Sequence, residues 1–141
     1  MPRMPLHLAS GTGICLPTIA KVIRLVRYGC TNRPFYHIVV MDRWKKQRDP
    51  PIEQVGSYDP TVNKYGEKLV AFNFERIQYW LGKGNVEVSR PVEELLGLCG
   101  FFPIHPRSYM WAWRNRRKAE LAEEAAKLEE AEGEKAKAES T

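Results

Sequence analysis

The sequence predicts an α+β protein: a small mixed β-sheet of about four or five strands, flanked by two short helices, with N- and C-terminal extensions. Apolar and polar residues alternate through much of residues 21–58, which is typical of strands. Two short segments, 74–81 and 89–99, instead carry apolar residues at helical spacing. In addition, 18 of the last 23 residues are Ala, Glu or Lys, which favours a helix.

The charges of the chain are unevenly distributed. The net charge is +5, but residues 119–141 contain three Lys and eight Glu, whereas residues 1–118 contain 19 basic and nine acidic residues. So basic a body indicates a polyanionic partner, such as a nucleic acid. No apolar run is long enough to span a bilayer, so a membrane is not expected as a partner.

Composition divides the chain into three parts. Residues 1–20 contain Arg3 and His7 but no acid, which is typical of an organelle targeting segment and equally of an extension of a basic surface. Residues 21–106 form the predicted RNA-binding α+β domain. Residues 107–141 form a helical tail that is first basic and then acidic.

The strands follow from the apolar pattern. The first, over Lys21–Arg27, alternates between two faces. The second begins after Pro34, where a sheet tolerates proline, and its nearly continuous apolar run to Met41 predicts a central strand covered on both faces. Two further strands are predicted over residues 52–58 and 68–72.

The helices follow from capping residues. Asn73 is the predicted N-cap of a short helix over residues 74–81. Ser89 is the predicted cap of a second short helix, which Gly100 ends. A helix or basic arm is predicted over residues 108–120, with a frayed end beyond it, because no apolar stripe supports the remainder.

Basic residues are concentrated on the predicted strand ends and loops, close to aromatic residues. Lys and Arg raise affinity for RNA by neutralising phosphates and releasing counterions, and aromatic rings can stack on bases. This is a collective property, since each residue alone could be an ordinary surface charge. The residues predicted to bind RNA are Arg24, Arg27, Arg33, Arg43, Trp44, Lys45, Lys46, Arg48, Lys64, Lys68, Arg76 and Lys83.

An ordered series of motifs resembles the ribosomal protein S16 family of the bacterial-type small subunit. The motifs are Ile23-Arg24-Leu25-x-Arg27-x-Gly29, Arg33-Pro34-Phe35-Tyr36-x-Ile38-Val39-Val40-x-Asp42, Arg48-Asp49, Ile52-Glu53-x-Val55-Gly56-x-Tyr58-x-Pro60 and Phe74-Glu75-Arg76-Ile77-x-x-Trp80-Leu81-x-x-Gly84. The resemblance covers roughly residues 21–98, and the extensions resemble the mitochondrial branch. The sequence departs from the family at Pro50, where glycine usually follows Arg-Asp, and at Cys30-Thr31-Asn32, where a basic residue is common.

The resemblance implies a structural constituent of the mitochondrial small ribosomal subunit, located in the mitochondrial matrix. It implies early binding to small-subunit ribosomal RNA, which the protein would stabilise at a junction, and thereby a role in subunit assembly and mitochondrial translation. The implied partners are that RNA and neighbouring small-subunit proteins, rather than a membrane or a second copy of the chain.

The three cysteines are odd in number and widely spaced, which argues against a disulfide framework or a local zinc site and indicates a reducing compartment. Cys99 is predicted to lie in the core beside Leu95 and Leu96, and Cys15 has no predicted role. The resemblance implies that Cys30 gives one ligand to an iron–sulfur cluster shared with a neighbouring protein. Such clusters need four ligands, which this chain alone does not offer.

Two alternative functions have some support from the residues. A metal-dependent nuclease would need a set of carboxylates, and the candidates are Asp42, Asp49, Glu53 and Asp59. Salt bridges to the neighbouring basic residues explain these carboxylates more simply. The histidines lack a catalytic motif, so no catalytic residue and no enzyme are predicted. A protein–protein adaptor would act through the C-terminal helix, since Trp beside Arg is typical of interface anchors. The predicted protein-contact residues are Trp111, Trp113, Arg114, Arg116 and Arg117.

Overall fold

A computed structural model describes residues 15–139 of the chain, with side chains described as far as residue 131. The predicted targeting segment over residues 1–20 falls mostly on residues 1–14, which lie outside the described residues. The chain divides into two compact units between Leu95 and Leu96.

The first unit is built on a five-stranded sheet. Its strands are β1 (Lys21–Arg27), β2 (Tyr36–Asp42), β3 (Glu53–Tyr58), β4 (Val70–Phe72) and β5 (Val86–Val88). They lie in the order β4-β3-β2-β1-β5. All neighbours pair antiparallel except β1 and β5, which pair parallel. The predicted mixed sheet of about four or five strands is therefore confirmed.

The core is centred on β2, the middle strand of the sheet. Four successive residues of this strand, 38–41, are fully buried, as predicted for a strand covered on both faces. Successive side chains of β1 point to opposite faces, and the strand buries Ile23 on one face and Val26 on the other. Val26 packs with Val39 and Met41 of β2. Both faces of the two central strands thus contribute to the core.

The segment that precedes β1 is fastened to the sheet by Lys21. This lysine is 4% exposed, and its ammonium group donates hydrogen bonds to the carbonyl oxygens of Leu16 and Ile19. The backbone amide of Arg43 donates to the carbonyl oxygen of Ala20 at 3.0 Å. Residues 16–20 are thus part of the folded unit, although they form no strand or helix.

Three helices follow the first four strands: α1 (Phe74–Gly82), α2 (Arg90–Leu98) and α3 (Pro106–Glu139). The Asn73 side chain accepts a hydrogen bond from the Arg76 amide, which confirms the predicted cap of α1. α2 begins after Ser89, whose carbonyl oxygen accepts from the amide of Val92 at 2.9 Å. The Ser89 hydroxyl is buried and makes no hydrogen bond within the described part of the chain.

The prediction that Cys99 lies in the core is wrong, because this residue is exposed. α2 ends at Leu98, so Cys99 follows the helix and does not continue the buried face formed by Val92 and Leu96. Gly100 then adopts a φ of 81°, a left-handed conformation that ends helices and that glycine adopts without strain.

In the second unit, α3 is one continuous helix of 34 residues. It extends to Glu139 and so continues past residue 120, where a frayed end is predicted from the sequence. Every side chain from residue 109 to residue 131 is exposed. Within residues 15–139, no helix combines the length and the apolar character needed to cross a membrane.

Candidate nucleic-acid interface

A hydrogen-bonded turn, residues 28–35, connects β1 to β2. The Tyr28 amide donates to the Phe35 carbonyl oxygen at 2.9 Å, and the Arg33 amide donates to the Cys30 carbonyl oxygen at 3.2 Å. Asn32 has a φ of 63°, a left-handed conformation that asparagine tolerates better than most residues. The turn therefore presents its side chains from a fixed backbone.

The basic loop after β2, residues 43–51, is folded back along β1. The guanidinium of Arg24, in the middle of β1, donates to the Lys45 carbonyl oxygen at 2.7 Å. The Asp49 carboxylate accepts from the Lys46 amide at 2.8 Å, and this closes a tight turn within the loop. The loop thus has a defined path although Pro50 stands where the family usually has glycine.

The turn and the loop meet in one recess, which we call the basic recess. It is lined by Arg27, Gly29, Cys30, Thr31, Asn32, Gln47 and Arg48. Arg27 and Arg48 are exposed, and within the described side chains neither forms a salt bridge. The fold therefore brings two of the predicted RNA-binding arginines together with Cys30.

Sheet topology places further cations near the turn. Tyr36 of β2 pairs with Tyr58 of β3, so the loop between β3 and β4 leaves the sheet at the same end as the turn. This loop carries Lys64, whose ammonium lies 5.0 Å from the Tyr65 ring centre, and Lys68, which is exposed. The same end of the sheet thus carries a second group of exposed cations.

Several predicted RNA-binding residues instead form ion pairs. Arg33 lies 3.5 Å from Asp59 and Arg43 lies 3.0 Å from Glu87, but both arginine side chains are well exposed. Such surface pairs contribute little to stability, so both arginines could exchange their carboxylate for a phosphate. Lys45 is different, since it is mostly buried and lies 3.5 Å from the buried Asp42 carboxylate.

Arg76 belongs to a cluster that ties α1 to β3. Two of its three guanidinium nitrogens, Nε and Nη2, donate to the Glu53 carboxylate at 2.6 and 2.7 Å, and the Trp80 indole Nε1 donates to it at 2.8 Å. The hydrogen bond from Arg76 lowers the pKa of Glu53 most strongly; burial opposes this and Trp80 reinforces it. The structure thus gives Arg76 a role within the fold.

Lys83 and Trp44 lie outside the basic recess. The Lys83 ammonium lies 4.6 Å from the ring centre of Tyr79 and 4.8 Å from that of Trp80, and a hydrogen bond with Tyr79 raises the pKa of Lys83. Lys83 precedes β5, at the opposite end of the sheet from the turn. Trp44, in the basic loop, is 69% exposed and is accessible for stacking.

The residues predicted for protein contact all lie on α3 and are exposed. The Arg114 guanidinium lies 5.7 Å from the Trp111 ring centre, and that of Arg117 lies 5.5 Å from the Trp113 ring centre. Arg116 lies on the same exposed segment. The segment is therefore accessible to a partner.

The carboxylates required by the nuclease alternative do not converge. Asp42, Glu53 and Asp59 form separate ion pairs, and Asp49 closes the basic loop. Within residues 15–139, no group of three His, Cys, Asp or Glu side chains could hold a metal ion. The described part of this chain therefore offers no complete set of metal ligands around Cys30.

Sequence reasoning missed Asn32 and Gln47, whose polar side chains line the basic recess. Asn32 could have been singled out, because an Asn before an Arg-Pro pair in a tight turn is a candidate for positive φ. Gln47 carries no comparable pattern. Its place in the recess follows from the path of the loop, which depends on Arg24 of β1.

Comparisons with known proteins agree with this architecture. The sequence model of the family "Ribosomal protein S16" matches residues 27–86. The small ribosomal subunit protein bS16m of Drosophila melanogaster is 63% identical over 120 residues, which is 85% of this chain and 92% of that protein. The bS16m protein of Caenorhabditis elegans is 49% identical over 115 residues, covering 76% of this chain and 78% of that protein.

A bacterial relative matches a shorter part of the chain. The small ribosomal subunit protein bS16 of Chromobacterium violaceum is 45% identical over 75 residues, which is 53% of this chain and 88% of that protein. The mitochondrial relatives, bS16m, thus share sequence with this chain beyond the length of the bacterial domain.

Proposed function

Because this chain belongs to the ribosomal protein S16 family, in its mitochondrial branch, we propose that its five-stranded unit binds small-subunit ribosomal RNA through the basic recess. The protein is a structural constituent of the small ribosomal subunit, in a family of non-enzymes, and its location is the mitochondrial ribosome. RNA binding of this kind would support subunit assembly and mitochondrial translation.

The observation that carries the proposal is the pair Arg27 and Arg48 on one fixed recess. A guanidinium can donate two parallel hydrogen bonds to a phosphate, and neutralising a phosphate releases counterions. The amide side chains of Asn32 and Gln47 offer donors and acceptors for ribose 2′-hydroxyls, which proteins commonly contact in folded RNA. Because hydrogen bonds already hold the backbone of the turn in place, little backbone ordering opposes binding.

Replacing both arginines tests the proposal directly. The variant carrying Arg27→Gln and Arg48→Gln is expected to bind small-subunit ribosomal RNA about 10-fold to 100-fold more weakly. Its plot of log affinity against log salt concentration should be shallower by about 2, because two phosphate contacts are lost. A filter-binding titration at several salt concentrations measures both quantities.

A matched control removes two exposed charges elsewhere, with Arg90→Gln and Lys127→Gln. This control should bind within about twofold of the unmodified protein, since it lacks the recess contacts. If the control and the recess variant weakened binding equally, the effect would come from net charge alone, and the basic recess would not be the RNA site.

The proposal includes Cys30 as one ligand of an iron–sulfur cluster shared with a neighbouring protein. Its support is an exposed thiol on a fixed turn, with the arginines of the basic recess beside it. Bound there, the cluster would cross-link two proteins, and Cys30 would hold one corner through its thiolate.

Cys30→Ser is expected to lower the iron content of purified small subunits while leaving the RNA affinity of the isolated protein within about twofold, since the serine keeps the turn. Cys99→Ser, which also removes an exposed thiol, serves as the control. Metal analysis of subunits from both strains provides the measurement. Equal iron in the two preparations would rule out Cys30 as a ligand.

A further inference from the structure

The charges along α3 run opposite to the order that stabilises a free helix. Residues 107–118 include five basic residues and no acid, whereas residues 119–139 include eight Glu and three Lys. Backbone dipoles leave partial positive charge at a helix N-terminus and partial negative charge at its C-terminus, so acids near the start are stabilising. The first turn of α3 carries Arg107 and no acid, so the helix dipole does not account for this order of charges.

Three of the basic residues and one tryptophan share a face of α3. Arg107, Trp111, Arg114 and Lys118 have the spacing i, i+4, i+7 and i+11, which places them in one stripe. At a rise of 1.5 Å per residue the stripe is about 16 Å long. Like charges four residues apart, as at Arg114 and Lys118, repel each other in a free helix. A partner with negative charges spaced along its length would relieve this repulsion.

The same segment is open to a partner. Trp111 is 48% exposed and Trp113 is 55% exposed, and each has an arginine guanidinium beside its ring. Among the side chains described up to residue 131, neither Arg114 nor Arg117 forms a salt bridge. Both guanidinium groups therefore retain donors for a ligand.

We infer that residues 107–118 of α3 form a second RNA contact, with phosphates on the basic stripe and a base stacked on Trp111 within it. The inference rests on the proposed function, which supplies RNA as the polyanion. Phosphates accept paired hydrogen bonds from guanidinium groups, and aromatic side chains stack on bases of any sequence. Residues 119–139 carry a net negative charge that phosphates repel, so the contact ends near Lys118.

A protein pocket fits these residues less well. A pocket that received Trp111 would also have to desolvate the guanidinium of Arg114 beside it. Removing a charge from water is unfavourable unless a buried opposite charge compensates. RNA avoids this penalty, because the phosphates that neutralise the arginine remain at the solvated surface.

The experiment compares full-length variants in binding to transcribed small-subunit ribosomal RNA. Arg114→Gln with Lys118→Gln is expected to lower affinity about tenfold and to make the salt dependence shallower by about 2. Trp111→Ala is expected to lower affinity about tenfold at an unchanged salt dependence, since stacking releases no counterions. The control, Lys127→Gln with Lys135→Gln, removes two charges from the acidic part and should stay within twofold.

The outcomes separate this inference from the proposed function. If the α3 variants bind RNA normally while Arg27→Gln with Arg48→Gln does not, the inference fails and the proposed function stands. If the recess variant also binds normally, the proposed function fails too. Polyglutamate represents an acidic protein surface in a competition assay. If polyglutamate displaced the bound ribosomal RNA as well as unlabelled RNA did at the same charge concentration, the segment would be assigned to a protein partner. Circular dichroism checks that each variant keeps its helix.

Discussion

Gly29→Ala is expected to lower the free energy of unfolding by about 3 kcal/mol, at the upper end of the usual effect of overpacking. A Cβ atom at this position would lie 2.1 Å from the Arg33 carbonyl oxygen and 2.4 Å from the Phe35 amide nitrogen. Both atoms belong to the backbone, so no side-chain rotation can relieve the contact. The turn over residues 28–35 would have to open.

Urea unfolding of Gly29→Ala beside Gly82→Ala measures this effect. Gly82 is at the end of α1, and nothing lies within 4 Å of a Cβ atom built there. The control is expected to change stability by less than about 1 kcal/mol, because alanine favours helix and meets no obstacle. Equal destabilisation by the two substitutions would show that close packing at the turn is not the cause.

Opening the turn also has a consequence for RNA. Arg27 and Arg48 line one recess together with Gly29, Cys30, Thr31 and Asn32 of the turn. The fraction of Gly29→Ala that remains folded is therefore expected to bind small-subunit ribosomal RNA about tenfold more weakly. Normal affinity in that fraction would mean that the two arginines act independently of the turn.

Glu53→Gln is expected to lower the free energy of unfolding by about 2 kcal/mol, because hydrogen bonds to a charged group are among the stronger ones in proteins. Two bonds from Arg76 and one from Trp80 converge on this carboxylate, which is largely buried. The side-chain amide of the substituted glutamine keeps one oxygen as an acceptor, but its NH₂ group is a donor and cannot accept a hydrogen bond from Arg76 or Trp80. The exposed Glu124, changed to Gln, should alter stability by less than about 0.5 kcal/mol.

The same cluster gives a predictable pH dependence. The pKa of Glu53 is lowered from its ordinary value of 4.5, so the folded protein binds the proton of this group less tightly than the unfolded chain does. The contribution of Glu53 is therefore complete above pH 4.5 and declines as the pH falls through the lowered pKa. Stability curves of the unmodified protein and Glu53→Gln should converge in that acidic range. A constant gap at every pH would contradict an ionic contribution.

The elements that the sequence predicts best are those whose pattern is local. Alternation along residues 21–27 predicts β1, a nearly continuous apolar run predicts β2, and Asn73 predicts the start of α1, because all three signals depend on neighbouring residues. β5 has no such pattern, since it is three residues long and is defined by parallel pairing with β1, more than 60 positions away.

The roles of the basic residues are predicted less well for a related reason. Charge composition identifies a basic surface, but it does not distinguish an arginine that is free for RNA from one that is engaged inside the fold. Arg76 pairs with Glu53, which is 23 positions away in the sequence, and Arg43 pairs with Glu87, which is 44 positions away. Such pairs depend on the tertiary fold and not on the local sequence. Arg27 and Arg48 share a recess because Arg24 holds the basic loop along β1.

The hydrogen bonds from Lys21 to the segment before β1 limit how far the N-terminus can be shortened without loss of stability. A chain cut after Leu16 would remove one of the two carbonyl acceptors of this ammonium group, and a cut after Ile19 would remove both. A buried charge that loses its partners is unfavourable by several kcal/mol. Removal of residues up to Cys15 would keep both acceptors of the lysine, whereas a cut further along the chain is expected to destabilise the first strand.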